Sequence, residues 1–219
     1  MELPPPTTPI VDLENRVPQG RRVSISRTEI IDAALHLLGP HRGVSSLSLR
    51  EVAREAGIAP NSFYRHFRDI DELAIALIEQ AGSALRSIIG TARQRASNER
   101  SVVQTSMEVF MEQLRMEHGY LPLLLREGKV GSAAFKHAVE QQLGFFETEL
   151  QLDLVRLEQR LGNQLHAPDL VAKAITRLVF AMGASAMELD VAGQNLILIQ
   201  TVDMIHMIIV GSRTMAMHQ

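Results

Sequence analysis

The sequence predicts an all-α protein in which a small N-terminal head precedes a larger helical body. Apolar residues recur at helical spacing through most of the chain, and no run alternates apolar and polar residues as a strand would. Two short helical patterns meet around a glycine between Ser48 and Phe67. Nine Arg accompany four acidic residues between Arg16 and Arg68, whereas the chain from Leu73 onward has a net charge of −2. Such a basic module on a mildly acidic remainder is typical of a nucleic-acid-binding head.

The composition excludes several classes of site. The chain has 219 residues and no cysteine, which rules out disulfides, thiolate metal sites and a catalytic cysteine. The histidines lack the His-x-x-x-His spacing of a helical metal site, so we expect no metal. No basic and then apolar leader opens the chain, and we therefore expect a cytoplasmic protein. The apolar stretch from Leu196 to Val210 contains polar residues and is too short to cross a bilayer, so we expect no membrane association.

Residues 1–24 are predicted to form a flexible tail, because proline is frequent there, beginning with Pro4-Pro5-Pro6. Arg16, Arg21 and Arg22 in this tail are compatible with two functions. They are suited to reach DNA phosphates or a minor groove, as basic arms do. They are equally suited to keep a solvated tail soluble.

The head is expected to span residues 25–85 and to begin with a helix that opens at Ser26 or Arg27. Gly39-Pro40 is expected to end this helix. Its apolar positions follow the spacing of one buried helix face. They are Ile30, Ile31, Ala34, Leu35 and Leu38.

Residues 48–67 predict a helix-turn-helix motif. Ser48 and Glu51 have the spacing of a capping box, so a helix should start at Leu49. Gly57 is suited to end that helix, and Pro60 to open the next one. An ordinary helical hairpin inside a bundle is the alternative, but caps, turn and exposed polar residues together favour the DNA-binding motif. The second helix is expected to carry Asn61, Ser62, Tyr64, Arg65 and His66, with Phe63 and Phe67 packed in the core.

Several side chains of this motif have the chemistry of DNA contacts. Asn61 and Ser62 in the first turn after Pro60 are suited to base edges, since an amide can form two hydrogen bonds with adenine. Tyr64 and His66 are suited to phosphate oxygens, and Arg65 to guanine or to phosphate. The N-terminus of the helix after Ser48 can offer backbone N–H groups to a phosphate, with Arg50 beside it. Thr28, near the start of the first helix, is a weaker candidate of the same kind.

Beyond the head, Asp69 and Glu72 predict a second capping box and a long helix over 70–97 that joins the head to the body. The body is expected to span residues 86–219. Glycines at its breaks separate further helical patterns. These are 100–117, 119–126, 131–161, 168–191 and 194–213.

The body offers candidates for a ligand pocket, although apolar residues at helical spacing are equally expected of a plain core. A basic segment around Gly128-Lys-Val-Gly131 is either a flexible loop that meets ligand phosphates or a solvated loop. The apolar candidates are Phe110, Leu114, Leu125, Phe135, Phe146 and Phe180, and the basic ones are Arg126 and Lys129.

The last two helical segments are unusually apolar. One such pair can pack as core, whereas two pairs meeting across a two-fold axis would form a four-helix dimer interface. The candidate interface residues are Leu178, Met182, Ile199, Val202, Ile205 and Ile209.

The stretch from Leu49 to Phe67 resembles the head of TetR-type transcriptional repressors. The segments 68–73, 123–127 and 132–135, read as Arg-Asp-x-Asp-Glu-Leu, Leu-Leu-Leu-Arg-Glu and Ser-Ala-Ala-Phe, resemble one branch more closely. That branch comprises the repressors of unsaturated fatty acid synthesis and of acyl-chain desaturation. The resemblance implies a homodimer, a palindromic double-stranded DNA operator, and a body that binds a long-chain acyl thioester, usually acyl-CoA. It also favours the dimer interpretation of the last two helices.

Two positions depart from the family pattern. Ile70 stands where many members have a Lys that contacts phosphate, and Arg68 is a plausible substitute. Ala59 replaces the hydroxyl residue often found at the N-cap of the recognition helix, so this cap should be weaker. The resemblance also favours Tyr64 as a phosphate contact.

These observations predict a ligand-responsive repressor that is not an enzyme and has no cofactor, with long-chain acyl-CoA or an acyl-carrier protein as its effector. A TetR-type sensor of another hydrophobic molecule is the main alternative. A soluble lipid-binding protein would leave the basic head without a function. An α-helical enzyme would need convergent acid, base or nucleophilic groups, and the sequence shows no phosphate loop or nucleophile elbow.

Overall fold

A computed structural model describes residues 25–38, 42–95, 99–116 and 119–218, and these residues form α-helices and one short 3-10 turn without any strand. The predicted all-α class is thereby confirmed. The predicted tail, residues 1–24, lies outside the described residues, as does Gly39-Pro40. Contact between the tail arginines and DNA therefore stays a prediction.

The head consists of α1 (Arg27–Leu37), a 3-10 turn (Val44–Ser46), α2 (Leu49–Glu55) and α3 (Pro60–Phe63). Capping boxes start the first two helices. Ser26 and Glu29 form the box of α1, while Ser48 and Glu51 form that of α2 as predicted. The side chains of these helices enclose one apolar core. Its most buried members include Ile30, Ala34, Val52, Phe63 and Phe67.

The turn between α2 and α3 depends on Gly57, whose φ of +66° lies in the left-handed region. Glycine adopts this conformation without the steric penalty of a Cβ atom. The backbone N–H of Ile58 then donates to the carbonyl of Ala53 at 2.9 Å, which closes the turn. This geometry sets the direction in which α3 leaves α2.

The long helix α4 (Ile70–Arg95) runs unbroken from the head into the body. Its expected capping box is formed in part. The Asp69 carboxylate accepts the N–H of Glu72 at 2.8 Å, but the Glu72 carboxylate accepts the N–H of Arg68 rather than that of Asp69. The boundary expected at residues 85 and 86 falls inside this continuous helix.

The body contains α5 (Glu99–Arg115), α6 (Tyr120–Val130), α7 (Ala133–Leu161), α8 (Pro168–Ala186) and α9 (Val191–Met217). Helix α7 packs against both α4 and α8, and α9 packs against α8 and α5. The main difference from the sequence prediction concerns α6, which continues through the segment around Gly128 and Lys129 that was expected to be a loop.

Among the described residues, α4 and α9 are long and apolar enough to cross a membrane by length and composition. Half of the apolar window of α4 is buried inside the protein, but only 28% of that of α9 is buried. The buried share of α4 is that of a core helix. The low buried share of α9 shows that this helix presents an apolar face to its surroundings. Helix α9 also extends past the apolar stretch from Leu196 to Val210 that the sequence indicated.

Candidate DNA-binding surface, effector cavity and dimer face

The candidate recognition helix α3 is shorter than the sequence predicted. It covers Pro60–Phe63, and Tyr64, Arg65 and His66 follow as turns. Its N-cap, Ala59, makes no side-chain capping bond, in agreement with the expectation of a weaker cap. Backbone bonds from the N–H of His66 and of Phe67 to the carbonyl of Phe63 nevertheless continue the helical path at 2.9 and 3.1 Å.

The two phenylalanines hold this segment against the head. Phe63 and Phe67 are buried with ring centroids 5.6 Å apart, which confirms their predicted core role. The Arg27 guanidinium lies 4.6 Å from the centroid of the Phe67 ring and joins α1 to this cluster. The Tyr64 ring packs edge-on against Phe63 at 5.9 Å while the residue stays 60% exposed. Its hydroxyl is thus carried outward on a fixed ring.

The remaining DNA-contact candidates lie on the head surface. Ser62 and His66 are half-buried, and Arg68 extends outward with its Nε donating to the Asp69 carboxylate at 2.9 Å. The Ser48 hydroxyl accepts the N–H of Glu51 as part of the α2 cap. The exposed candidates are Thr28, Ser48, Arg50, Pro60, Asn61, Tyr64, Arg65 and Arg68.

An ion pair neutralises the acid nearest to the α2 N-terminus. The Arg42 guanidinium donates to the Glu51 carboxylate at 2.9 Å. Hydrogen bonds from Ser48, followed by the bond from Arg42, hold the pKa of Glu51 below its usual range. Glu51 therefore favours its ionised form, and Arg42 compensates its charge.

The body contains a partly open apolar cavity of about 100 Å³ between α4, α5, α7, α8 and α9. Three of the predicted ligand residues line it: Phe110, Phe146 and Phe180. The Phe180 ring is central, with centroid distances of 5.9 Å to Phe110 and 5.4 Å to Phe146. Edge-on packing of this kind makes a rigid apolar wall.

Polar groups on the cavity wall are few, namely Arg93 on α4, Ser106 on α5 and Thr176 on α8. Arg93 donates from Nε to the Asp153 carboxylate of α7 at 2.8 Å. An apolar cavity with a small number of oriented polar groups is the usual form of a small-molecule site.

The other predicted ligand residues lie elsewhere. Leu114, Leu125, Arg126 and Lys129 line a separate groove between head and body, and Phe135 is buried in the core. The expected basic loop is the last part of α6. Lys129 lies 3.8 Å from the Glu188 carboxylate, and its side chain is two-thirds exposed.

Comparison with known proteins agrees with this architecture. Residues 30–77 match the family model described as bacterial regulatory proteins, tetR family. The head of this chain thus carries the sequence pattern of that family. The match covers the head and the first turns of α4, and the arrangement of head and helical body is a TetR-like fold.

Solved structures of such regulators superpose on most of the chain. A putative transcriptional regulator from Rhodococcus sp. RHA1 has a TM-score of 0.66 at 15% identity and covers 86% of this chain and 98% of its own. The fatty acid degradation regulator FadR from Bacillus halodurans has a TM-score of 0.64 at 15% identity, with coverages of 80% and 94%. RolR in complex with resorcinol has a TM-score of 0.58 at 17% identity, with coverages of 81% and 86%. Identities this low establish the shared fold.

Polar contacts from α6 connect the body to the head. The buried Glu127 carboxylate accepts the N–H of Val44 at 3.0 Å. The Arg126 guanidinium donates to the carbonyl of Arg42 at 2.8 Å, and Arg42 in turn pairs with Glu51 at the α2 cap. Burial raises the pKa of Glu127, opposed by the Val44 hydrogen bond and the Arg126 charge. The segment that precedes the helix-turn-helix is therefore bound to α6.

The apolar surface of the body lies on α9. Ile199 and Met207 are 59% and 70% exposed, and Leu196 and Val210 are exposed beside them. TetR regulators act as dimers, and an apolar helix face of this size is what such an interface requires.

The structure divides the six predicted interface residues between two environments. Ile199 is exposed and Leu178 and Met182 are half-buried, whereas Val202, Ile205 and Ile209 are buried within the protomer. Ile205 and Ile209 line the cavity. These two isoleucines belong to the cavity wall within the protomer, which differs from the expectation.

Arg93 is the functional candidate that the sequence analysis missed. Its sequence signal is its spacing, since it stands seven residues after Arg86 and thus on the same face of α4. Glu149 and Asp153 stand four apart on α7 and pair with Arg86 and Arg93. Two cations on one helix face and two acids on one face of another helix are complementary in charge.

Proposed function

We propose that this protein is a TetR-family regulator that represses genes of unsaturated fatty acid synthesis or desaturation in response to long-chain acyl-CoA or an acyl-carrier protein. The observation that carries the proposal is the apolar cavity in the body, with Phe110, Phe146 and Phe180 on its wall. The segments that resemble the acyl-responsive branch support it. So does the fold shared with a fatty acid degradation regulator. The protein would act in the cytoplasm.

The connection from the cavity to DNA runs along α4. Ile89 and Arg93 near its C-terminal end line the cavity, while Leu73 and Leu77 near its start are buried in the core next to the head. The helix has 26 residues. A helix of this length spans about 39 Å, so a small tilt at the cavity becomes a larger displacement at the head. An effector shifts the DNA affinity only if it binds one orientation of α4 more tightly than another.

In the proposed complex, a homodimer places two α3 helices in successive major grooves of a palindromic operator, roughly 34–36 Å apart. Asn61 and Ser62 would read base edges, because they lie at the start of α3. The Tyr64 hydroxyl and His66 would contact phosphates, and Arg65 would contact guanine or phosphate. The other proposed contacts, mainly to the backbone, are Thr28, Ser48, Arg50, Pro60 and Arg68.

The proposed dimer interface is the exposed face of α9 with the adjacent part of α8. Leu178, Met182 and Ile199 remain in it from the sequence prediction. We add Leu196 and Met207, because both are exposed on α9. A second copy of the chain would cover this face.

The size of the cavity favours a second candidate for the effector, a compact apolar or aromatic molecule. A volume of about 100 Å³ is below the roughly 300–1,000 Å³ of typical ligand sites. A long acyl chain would need adaptable side chains such as Met107 to move, whereas a compact apolar or aromatic molecule would need less movement. RolR, which shares the fold, was crystallised with resorcinol.

The test is a binding titration with a palindromic DNA fragment from upstream of the chain's own gene. Saturated and unsaturated acyl-CoA are added separately, and the operator affinity is measured by fluorescence anisotropy. We expect one class of acyl-CoA to shift the affinity and the other to shift it less or in the opposite sense. An unchanged affinity with every acyl-CoA, but a shift with a compact aromatic ligand, would favour the second candidate.

The DNA roles are tested in the same assay with two variants. Asn61→Ala should weaken operator binding by about 1–3 kcal/mol more than random DNA, because it removes a base contact. Tyr64→Phe should weaken both DNAs alike, because phosphates carry no sequence information. Equal losses on both DNAs for Asn61→Ala would contradict its assignment to a base.

A further inference from the structure

Arg93 has an unusual environment for a cation. Its side chain is only 10% exposed, and it forms part of the wall of the apolar cavity. Its Nε donates to the Asp153 carboxylate at 2.8 Å. Within the part of the chain that the structure describes, its two terminal nitrogens donate to no protein acceptor. Since no buried side-chain nitrogen among the described residues lacks a partner, these two nitrogens open onto the adjoining groove, where a ligand oxygen can accept from them.

The cavity continues toward more cations. Val102, Leu150 and Leu154 line both the cavity and an adjoining groove on the surface of α7. Arg93 lies at the point where the two meet. Arg156 and Arg160, one helical turn apart, line the groove farther out. From the cavity outward, the lining thus changes from apolar side chains to guanidinium groups.

The charge balance along this lining is positive. Among the groove-lining side chains that the structure describes, Asp153 is the acidic one, and it lies 2.8 Å from Arg93 and 3.6 Å from Arg156. One carboxylate therefore accompanies three guanidinium groups. A ligand that enters with an apolar part first would leave its outer end against a surplus of positive charge.

We propose that Arg93 anchors the anionic head of an amphipathic ligand whose apolar chain occupies the cavity. The planar guanidinium is suited to bind a carboxylate or phosphate oxygen with its free terminal nitrogens. Two sources supply this chemistry. A free fatty acid would bring its carboxylate to Arg93, and an acyl-CoA would bring the phosphates of its nucleotide head to Arg93, Arg156 and Arg160. The inference deepens the proposed function and rests on it.

A ligand head bound to Arg93 would weaken the ion pair between Arg93 on α4 and Asp153 on α7. Asp153 competes with the ligand head for Arg93, because both are anions beside one guanidinium. Replacing Asp153 by Asn removes that competing charge while keeping the size of the side chain. Binding of an anionic ligand should therefore tighten in Asp153→Asn.

The experiment uses the full chain and three probes of equal chain length: dodecanoate, dodecanol and dodecanoyl-CoA. Binding is measured by isothermal titration calorimetry, with each probe below its micellar concentration. The protein should bind dodecanoate more tightly than dodecanol. Arg93→Gln should weaken dodecanoate binding roughly 10- to 100-fold, the usual effect of losing a charged hydrogen bond, without changing dodecanol binding. Arg115→Gln, a variant on α5 outside the cavity lining, is the control and should change neither.

A double variant, Arg156→Gln with Arg160→Gln, distinguishes the two sources. If the natural head is a nucleotide thioester, the double variant should weaken dodecanoyl-CoA binding and leave dodecanoate binding unchanged. Should Arg93→Gln fail to fold, Asp153→Asn provides the second test, with tighter dodecanoate binding and unchanged dodecanol binding expected.

Two results would contradict the proposal, and they would do so at different levels. Equal binding of dodecanoate and dodecanol, with Asp153→Asn without effect on either, would overturn the anchoring role of Arg93 and leave the apolar effector site in place. Absence of binding by all three probes would overturn the acyl effector itself, and the anchor with it.

Discussion

Variants of Glu127 test the connection between head and body through the melting temperature of the protein and its dependence on pH. The buried Glu127 carboxylate accepts the N–H of Val44 at 3.0 Å, across 83 residues of sequence. Glu127→Ala removes the acceptor and leaves a buried N–H group without a partner. Glu127→Gln keeps a carbonyl oxygen of similar reach and removes only the ionisable group. Comparing the two variants therefore separates the hydrogen bond from the charge.

The expected magnitude follows from the burial of this contact. A buried N–H without an acceptor costs about 1–3 kcal/mol. For a protein of this length, each kcal/mol changes the melting temperature by roughly 2–4 °C. Glu127→Ala should therefore melt roughly 2–12 °C below Glu127→Gln at pH 7, measured by circular dichroism at equal protein concentration. Equal melting temperatures of the two variants would refute the role of Glu127 as the acceptor for Val44.

The pH dependence gives an independent check. Burial raises the pKa of Glu127 in the folded protein, so the folded state favours the protonated carboxyl. The stability from this group is present below its unfolded pKa and is lost as the pH rises through the folded pKa. The melting temperature of Glu127→Gln minus that of the wild type should therefore increase as the pH rises from about 4 to 7. A difference that is constant or decreases over this range would contradict the raised pKa.

Two further predictions concern the dimer face and the glycine turn. Met207→Glu places a charge on the exposed apolar face of α9 and should convert dimers to monomers in sedimentation experiments. The control, Met217→Glu at the end of the helix, should leave the dimer intact. An unchanged dimer in Met207→Glu would contradict the proposed interface. Gly57→Ala should destabilise the protein by about 1–2 kcal/mol, because its φ of +66° is left-handed. Gly144→Ala in α7 should instead stabilise it by up to about 1 kcal/mol, since a Cβ there meets no neighbour; the same sign for both glycines in urea unfolding would refute the conformational explanation.

The parts of the fold that sequence reasoning predicted correctly depend on local chemistry. Ser26 and Ser48 start their helices through side chains that reach only three residues along the chain. Gly57 stops α2 for an equally local reason. Phe63 and Phe67 were identified as core by their four-residue spacing within one turn of helix. Such contacts are encoded in adjacent residues and need no knowledge of the rest of the protein.

The extent of α6 could not be predicted in this way. Gly128 resembles a helix breaker in the sequence, but a Cβ at this position would come within 3.3 Å of the Val139 side chain. Glycine here allows α6 to pack closely against α7, and this tertiary contact outweighs its low helix propensity. The expected basic loop was therefore absent, and Lys129 belongs to the groove between head and body.

The faces of α9 were ambiguous for a different reason. Its apolar residues surround the helix almost completely, so their period does not tell which side is buried. Ile199 and Ile205 are equivalent in the sequence, but one is exposed and the other lines the cavity. Only the positions of α5 and α8 decide between them. The cavity and Arg93 depend on the same long-range packing of helices.

The two connections between head and body limit how an effector can move the DNA-binding surface. Helix α4 joins the head to the cavity by covalent continuity, and its Arg86 and Arg93 are paired with α7. Helix α6 holds the segment before α2 through Glu127 and Val44, and neither of these residues lines the cavity. An effector that shifts α4 against α7 therefore acts on one connection while the other stays in place. The head should then rotate about the Val44 contact rather than translate, which changes the direction of α3 together with the spacing of the two heads in a dimer.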